Sequence, residues 1–426
     1  MPESVYIVSA VRTPIGKFGG ALAELTAADL GVLVTRAALE RAFGELPPER
    51  VPAENKEARV IPKFSRGAAA SARATRYRVD ELILGNARPA GNGPNLARQV
   101  SWRSGLGDDV PAFTVNMACA SGLRAILLAR QQILQGDAEI IVAGGTESMS
   151  RVPYLLDARW GFKMGHQPLM DSMYRDGLLC QISRMIMGET AEVLAEHYGV
   201  TRGEQDAYAL ESQQRASRAQ AECRFQSEIV PVETKDKKGN VSRFDRDEHV
   251  RPDTTLEALR KLPPVFAKTG SVTAGNSSGI TDGAAAVVLV SEMKLRELKL
   301  TPLVRIVDAT IAAVDPRIMG VGPIPAIEAL EKKTGRKLAD YDAVELNEAF
   351  AAQVLACDRE LHFDRARLNP NGGAIALGHP IGCTGARITT TLVHELRHGG
   401  TKPGRRGLAT LCVSGGLGVA MAVEAA

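Results

Sequence analysis

The sequence has few of the features that mark several classes of protein. Its six cysteines include no Cys-x-x-Cys pair and no regular spacing, so neither a zinc site nor a disulfide framework is expected, and a reducing compartment fits better. The formal net charge of +3 gives no general electrostatic footprint for nucleic acid. No uninterrupted apolar run approaches the roughly 20 residues that a membrane-spanning helix needs.

The N-terminal sequence also lacks a targeting signal. MPESVYIVSAVRTPIG leads directly into a strand pattern, without the basic, apolar and cleavage-site series of a secretory signal. Together with the cysteine usage and the missing membrane span, this predicts a cytoplasmic protein.

Aromatic residues are scarce as well, at 4%, whereas 45% of the chain is hydrophobic and 41 residues are glycine. This composition favours an α/β protein built from closely packed small residues. A chain of 426 residues is too long for one simple core, so two or three domains are expected.

Residues 111–145 carry the clearest local pattern. An apolar strand at 113–117 is followed by a small-residue turn containing Cys119, a helix that ends at Gly136, and a second buried strand at 140–143. Cys119 is therefore predicted at a helix N-terminus, where the helix dipole would shift the thiol toward thiolate. The pattern fits a nucleophile and a small buried core residue about equally well.

Other polar residues also follow predicted strands. His379 lies between glycines in ALGHPIGCTG, Cys412 follows an apolar strand, and Asn347 and Glu348 stand where a strand turns into a helix. The other six histidines fit surface positions. Four reactive side chains therefore stand at predicted strand ends, which indicates one shared reactive site. They are Cys119, His379, Cys412 and Asn347.

The overall pattern indicates two similar α/β halves. The last third begins with LVRIVDATI, which is similar to the opening VYIVSAV, and it ends with strand, loop, helix and strand again. Residues 149–270 are less regular and read as an inserted domain. Residues 51–78 have no usable periodicity and are strongly basic. This pattern fits a solvated surface insertion better than a basic arm for an anionic ligand. The basic residues are Lys56, Arg59, Lys63, Arg66, Arg73, Arg76 and Arg78.

Several stretches together resemble the thiolase family of acyl-CoA C-acyltransferases over nearly the whole chain. They are VNMACASGLRA, VAGGTESMS, VTAGNSSGITDGAAA, MGVGPIPA, ELNEAFAAQ, NPNGGAIALGHPIGCTGAR and CVSGGLGVAM. The resemblance implies an α/β fold of duplicated βαβαβαββ halves in five α-β-α-β-α layers, with a loop domain over the active site. It places the N-terminal half at 1–148, completed by about 280–300, the loop domain at 149–279 and the C-terminal half at 301–426.

The resemblance also implies the chemistry. Cys119 would attack an acyl-CoA thioester while His379 accepts its proton, and Cys412 would remove the α-proton of acetyl-CoA for a Claisen condensation, with thiolysis of a 3-ketoacyl-CoA as the reverse. One oxyanion hole would use His379 and a water held by Asn347, and the other the backbone amides of Cys119 and Ser414. CoA and acyl-CoA would be substrates, with no permanent cofactor and no metal.

The resemblance also implies which residues contact the substrate. The loop along pantetheine corresponds to Ala274, Ser277, Ser278 and Gly279, with Ser278 as the direct polar contact, and the acyl group would meet Met187, Met319 and Phe350. Short-chain biosynthetic relatives often have His or Asn where this chain has Ile186. The family implies homodimers or homotetramers, and it allows a partner enzyme of fatty acid oxidation.

Two other functions remain open at this point. A decarboxylating ketosynthase shares the fold and the nucleophile, but uses His with His or Asn in place of a second thiol such as Cys412. A noncatalytic thioester- or lipid-binding relative would keep the fold without the reactive residues. The sequence does not distinguish β-oxidation from acetyl-CoA condensation, and it does not set the acyl chain length.

Overall fold

The computed structural model describes residues 4–52, 75–235, 239–400 and 402–426. The strands in these residues are β1 (Val5–Arg12), β2 (Gly16–Lys17), β3 (Glu81–Gly85), β4 (Ala112–Val115), β5 (Ile140–Ser148), β6 (Tyr154–Leu155), β7 (Met170–Asp171), β8 (Val232–Lys235), β9 (Val241–Phe244), β10 (Thr281–Ser291), β11 (Val304–Ala313), β12 (Ala343–Leu346), β13 (Arg406–Val413) and β14 (Leu417–Ala425). The α-helices are α1 (Ala27–Phe43), α2 (Leu96–Arg103), α3 (Ser121–Gln135), α4 (Met187–His197), α5 (Arg202–Ala221), α6 (Leu256–Arg260), α7 (Glu292–Glu297), α8 (Pro323–Thr334), α9 (Ala351–Leu361), α10 (Ala374–Leu377) and α11 (Ile381–Arg397).

The same strand topology occurs twice. In the first half the order is β4-β3-β5-β10-β1, with the first three strands parallel and β10 antiparallel to both of its neighbours. In the second half the order is β12-β13-β14-β11, with β12 and β13 parallel. A parallel bridge from Val344 to Leu368 takes the place that β4 has in the first half. The predicted duplication is therefore confirmed at the level of topology.

The helices form layers around these strands. Helices α3 and α11 pack against each other, and their apolar residues share one core with the inner faces of both halves. Helices α1 and α2 cover the outer face of the first half, and α8 and α9 that of the second. Antiparallel pairing of β1 with β11 joins the two halves. This is the predicted five-layer α-β-α-β-α arrangement.

Glycines explain why the two central helices approach so closely. A Cβ atom on Gly122 of α3 would lie 2.8 Å from the backbone nitrogen of Ala386, and one on Gly385 of α11 would lie 2.7 Å from Cβ of Leu123. Any larger residue at these positions would push the helices apart. Their N-termini therefore lie side by side, which matters for the residues that they carry.

Some predicted boundaries differ from the structure. The strand predicted at 113–117 ends at Val115, and the strand predicted at 140–143 continues to Ser148. The helix after Cys119 ends as predicted, with Gly136 in the left-handed conformation at φ 85°.

Buried ion pairs and hydrogen bonds hold the irregular middle segment against both halves. Arg12 of β1 donates to Glu228 at 2.6 Å and to Asp247 at 2.6 Å, and all three side chains are buried. Glu348 accepts hydrogen bonds from Tyr208 at 2.8 Å and from Ser212 of α5. Buried charges of this kind are stable only when fully paired, so these contacts fix the segment in place.

Most of the basic segment at 51–78 lies outside the described residues, and so do the predictions made for Lys56, Arg59, Lys63, Arg66 and Arg73. Its described end is attached to the first half, since the ring of Tyr77 stacks on Phe43 with centroids 3.8 Å apart. Within the described ranges, no helix is long and apolar enough to cross a membrane.

Candidate active site

A cavity of about 900 Å³ opens between the two halves and the middle segment. It is lined by eleven of the twelve predicted site residues: Cys119, Met187, Ala274, Ser277, Ser278, Gly279, Met319, Phe350, His379, Cys412 and Ser414. The twelfth, Asn347, is buried and is not part of the lining. The structure therefore brings together reactive side chains that are almost 300 residues apart in the sequence.

Cys119 lies on a strained turn between β4 and α3. Ala118 has φ 43°, a left-handed conformation that residues with a side chain rarely adopt. Two side chains stabilise this turn: Asn116 accepts a hydrogen bond from the amide of Ala118 at 2.9 Å, and Ser121 donates to the Ala118 carbonyl at 2.7 Å. The turn places Cys119 at the wall of the cavity.

The predicted shift of this thiol toward thiolate is wrong. Burial raises the pKa of Cys119, and this effect outweighs the backbone amide of Ser414 and the charge of Arg88, both of which lower it. The helix N-terminus is a local feature, whereas the burial comes from the whole surrounding fold. A raised pKa means that Cys119 needs a base to become a nucleophile.

His379 has the properties of such a base. Its Nδ1 lies 2.6 Å from the hydroxyl oxygen of Thr384, which itself donates to the carbonyl of Pro380 at 2.9 Å. Because the Thr384 proton is used in that bond, its oxygen accepts from Nδ1–H, and the network assigns the neutral ring a lone pair on Nε2.

The position and charge state of the ring agree with that assignment. His379 Nε2 is buried without a hydrogen-bond partner in the part of the chain that the structure describes. Burial, with the positive charges of Arg387 and Arg88, lowers the pKa of His379 to about 3. Gly378, at φ 103°, makes the turn that presents the ring, and a Cβ there would lie 2.7 Å from the Thr281 hydroxyl.

Cys412 lies near the end of β13 and lines the same cavity as Cys119. It is buried with Met187, Met319 and Phe350 in one apolar cluster. Burial, followed by the neighbouring Cys119, raises the pKa of its thiol well above the usual range. Two thiols from different halves of the molecule therefore face one space.

Ser414 fits the turn after β13 without strain. The left-handed positions of that turn are taken by Gly415 at φ 89° and Gly416 at φ 84°, and Ser414 is not among the described residues with positive φ. Its amide acts on the Cys119 sulfur. A glycine is therefore not needed at this position.

Asn347 and Glu348 are neighbours with different environments. The amide of Asn347 donates to the Thr410 carbonyl at 3.0 Å, but both polar side-chain atoms of Asn347 are buried without a partner among the described residues. Glu348 instead has its oxygens filled by Tyr208, Ser212 and other donors. The unpartnered side chain of Asn347 is therefore a candidate for a functional role, whereas the fully hydrogen-bonded Glu348 makes a structural contact.

The predicted pantetheine loop has one uncommitted hydroxyl. Ser277 donates to the Thr273 carbonyl at 2.7 Å, whereas the Ser278 hydroxyl makes no hydrogen bond to any described residue, although its amide donates to Ala349 at 3.0 Å. At Gly279 the imidazole of His249 occupies the space that a side chain would need. The loop therefore exposes the hydroxyl of Ser278 and the backbone of Gly279 to the cavity.

His249 and Arg88 are among the lining residues that were not predicted from the sequence. His249 holds its ring against Gly279 through a 3.1 Å contact of Nδ1 with the Ala376 carbonyl. Arg88 is 5% exposed and follows β3 directly. The rule that polar residues after strands meet at one edge of a sheet was applied to Cys119, His379 and Cys412, and it would also have identified Arg88.

Models of known families match almost all of the chain. The thiolase N-terminal domain matches residues 5–54 and 53–293, and the thiolase C-terminal domain matches residues 300–425.

Individual proteins match over similar lengths. The acetyl-CoA acetyltransferase of Thiocystis violacea is 47% identical over 425 residues, with 100% of both chains covered. That of Pseudomonas aeruginosa is 48% identical over 420 residues, covering 98% of each.

Solved structures give the same result. The crystal structure of the Bacillus anthracis acetyl-CoA acetyltransferase has a TM-score of 0.89 at 43% identity and covers 100% of this chain and 99% of that one. Human mitochondrial 3-ketoacyl-CoA thiolase in complex with CoA has a TM-score of 0.86 at 41% identity, covering 99% and 98%.

Proposed function

This chain belongs to the thiolase family, and from that premise we propose that it transfers acyl groups reversibly through an acyl-Cys119 intermediate. It is a CoA-dependent acyltransferase. In one direction it cleaves a 3-ketoacyl-CoA with CoA to give acyl-CoA and acetyl-CoA. In the other it condenses acetyl-CoA with an acyl-CoA.

In the first half-reaction, His379 Nε2 takes the proton of the Cys119 thiol. The thiolate attacks the acyl carbon of the acyl-CoA, the thioester bond to CoA breaks, and the proton passes to the leaving CoA thiolate. The neutral, correctly oriented imidazole supports this role, because only an unprotonated Nε2 can accept the proton. The raised pKa of Cys119 makes that base necessary.

Negative charge on the thioester oxygens needs hydrogen-bond donors that are already in position. We assign the backbone amides of Cys119 and Ser414 to one oxyanion hole, because the Ser414 amide already acts on the Cys119 sulfur. We assign His379, which donates while Nε2 carries a transferred proton, and a water held by Asn347 to the other. The unpartnered polar atoms of both side chains support this assignment.

In the second half-reaction, Cys412 passes its thiol proton to His379 Nε2, and the resulting thiolate removes a proton from the α-carbon of acetyl-CoA. The carbanion attacks the acyl group on Cys119, and the leaving Cys119 thiolate takes up the proton held on His379. A thiolate in the apolar cluster around Met319 and Phe350 would be a strong base, which suits a weakly acidic carbon. Substrate contacts would come from Ser278 and its neighbours on the pantetheine side, and from Met187, Met319 and Phe350 on the acyl side.

The observation that carries this proposal is the convergence of Cys119, His379 and Cys412 on one cavity from both halves. Intact-protein mass after incubation with acetyl-CoA tests it, with peptide mapping and Cys119→Ala in parallel. We expect one acetyl group on Cys119 that disappears when CoA is added. Folded protein without an adduct would instead favour a noncatalytic binding protein.

Assembly and context are part of the same proposal. We propose a homodimer or homotetramer in the cytoplasm, acting in fatty acid β-oxidation or in acetyl-CoA condensation. Exposed apolar side chains around β6 and β7, among them Trp160 and Met164 at 93% exposure each, support contact between subunits. The division into halves at 1–148 and 301–426, with a loop domain at 149–279, belongs to this proposal, and sedimentation velocity tests the oligomeric state.

A further inference from the structure

Arg88 is a buried cation without a counter-ion. Among the described residues, the arginines that are less than a tenth exposed are Arg12, Arg88 and Arg387. Arg12 pairs with Glu228 and Asp247, and Arg387 lies 3.3 Å from Glu345. Within the same described ranges, Arg88 has no carboxylate within ion-pairing distance. Burying an unpaired charge is costly, so this position calls for an explanation.

The hydrogen bonds of Arg88 leave one side of its guanidinium group unused. Nη1 donates to the Ala87 carbonyl at 3.0 Å. Nε is buried without a partner, and neither Nε nor Nη2 donates to any residue that the structure describes. Nε–H and Nη2–H lie on one edge of the planar group, and this edge binds both oxygens of a carboxylate at once. Arg317 shows the arrangement in the same chain, donating from these two nitrogens to Asp315.

Glu147 is the nearest candidate for a counter-ion, but its hydrogen-bonding capacity is already used. Its oxygens accept from the Asn86 side chain at 2.7 Å and from the backbone amides of Ala87, Arg88 and Gly382 at 2.8 to 3.1 Å. Glu147 therefore ties the end of β3 to the start of α11. It attracts Arg88 only at longer range.

Gly177 packs against the guanidinium group of Arg88 without adding a side chain to the unused edge. A Cβ atom there would lie 2.5 Å from the guanidinium carbon of Arg88 and equally close to Nε and Nη2. Any residue other than glycine would cover these two nitrogens or displace the side chain. Gly177 and Arg88 both line the cavity that holds Cys119, and Arg88 is close enough to lower the pKa of the Cys119 thiol.

We propose that Arg88 is a specificity-determining residue that binds a terminal carboxylate on the acyl group, so that this enzyme prefers CoA thioesters of dicarboxylic acids. The inference rests on the proposed function, because it requires the acyl group to be carried on Cys119. An acetyl group offers no second acceptor and would leave the buried cation unpaired. A short chain that ends in a carboxylate would supply the missing partner at the cavity wall.

A matched pair of substrates tests this inference. 3-Oxohexanedioyl-CoA and 3-oxohexanoyl-CoA have the same chain length and differ only in a terminal carboxylate or methyl group. The quantity measured is the ratio of their kcat/KM values in thiolysis. Any general effect of Arg88 on Cys119 reactivity acts on both substrates and cancels in this ratio.

We expect the unaltered enzyme to favour the dicarboxylic substrate by at least tenfold. In Arg88→Met, which keeps the length but not the charge, the ratio should fall by roughly 10- to 150-fold, the range for one or two charge-assisted hydrogen bonds. Arg88→Lys should keep part of the preference, since it retains the charge without the two-nitrogen edge. Gly177→Ala should lower the ratio with Arg88 still present.

The outcomes separate the inference from the function on which it rests. Unaltered enzyme that cleaves both substrates without preferring the carboxylate overturns the role of Arg88 and leaves the thiolase proposal intact, and so does an unchanged ratio in Arg88→Met. Folded enzyme that cleaves neither substrate nor acetoacetyl-CoA overturns the proposed function itself. Should Arg88→Met fail to fold, the unaltered enzyme and Gly177→Ala decide the question.

Discussion

The contact between Thr384 and His379 leads to a specific kinetic prediction. In Thr384→Val, a substitution of nearly equal shape, the Nδ1–H of the buried ring loses its acceptor. An unsatisfied buried donor costs about 1–3 kcal/mol. The ring would therefore shift toward the other tautomer, which places the proton on Nε2, where the lone pair is needed. Because each 1.36 kcal/mol corresponds to a factor of ten, we expect kcat to fall by roughly 5- to 150-fold.

The assay is thiolysis of acetoacetyl-CoA, combined with the rate at which Cys119 becomes acetylated. Thr384→Ser is the matched control, because it keeps the hydroxyl and should restore most of the rate. KM should change little in either variant, and the melting temperature reports any purely structural effect. If Thr384→Val retained more than half of the original kcat while folded, the tautomer argument would be wrong.

Four further predictions concern the same site and the residues that support it. Cys412→Ala should still be acetylated on Cys119 by acetyl-CoA but should lose roughly 10²- to 10⁴-fold in condensation, the usual contribution of a general base; equal loss of both reactions would contradict the assigned role. The kcat/KM profile should show no acid limb from His379 between pH 5 and 8, because its pKa is lowered to about 3, and a limb near pH 6.5 would refute this. The free energy of unfolding should decline as pH falls below about 6.5, because His379 then binds a proton in the unfolded chain but not in the folded one. Urea unfolding of the unaltered protein and of His379→Gln at several pH values measures this effect. Gly385→Ala should destabilise the fold by about 1–3 kcal/mol through overpacking against α3. Gly203→Ala is the control near the start of α5, where the nearest atom is 4.0 Å away, and it should be neutral or stabilise the fold by up to about 1 kcal/mol. Urea unfolding measures both variants, and equal stability of the two would contradict the close-packing argument.

Polar residues that follow predicted strands lie close together in the structure, for a physical reason. Carboxyl ends of parallel strands meet at one edge of a sheet, and Cys119, Cys412 and Asn347 each follow or end such a strand. The structure places Cys119 and Cys412 on one cavity and buries Asn347 beside β13. The pattern needed only the order of apolar and polar residues, which the sequence contains.

Other features could not be read from local patterns. The strand β5 was predicted too short because Gly144 and Gly145 resemble a turn. In the structure these glycines lie inside the sheet, where a Cβ on Gly144 would come within 2.8 Å of Cα of Ala286. A glycine that permits close packing and a glycine that permits a turn look alike until the neighbouring strand is known.

The error in the pKa of Cys119 and the missing prediction for Arg88 have the same origin. In both cases the chemistry depends on how deeply a side chain is buried by residues far away in the chain. A helix N-terminus predicts a lower thiol pKa, but desolvation by the surrounding fold reverses the sign. A basic residue after a strand reads as exposed, yet Arg88 packs against the short helical segment Tyr174–Leu178, which contains Gly177.

The duplicated architecture explains how two side chains distant in sequence come together as the proposed catalytic pair. Helices α3 and α11 occupy equivalent positions in the two halves, and the residue two positions before each helix lines the cavity: Cys119 in the first half and His379 in the second. The glycine contacts at the crossing of the helices set how closely these N-termini approach. Glu147 adds a link from the end of β3 to the amide of Gly382. Neither half contains both residues, so the proposed reaction requires the packed interface between them, and the small residues in the middle of the molecule would then serve catalysis as well as stability.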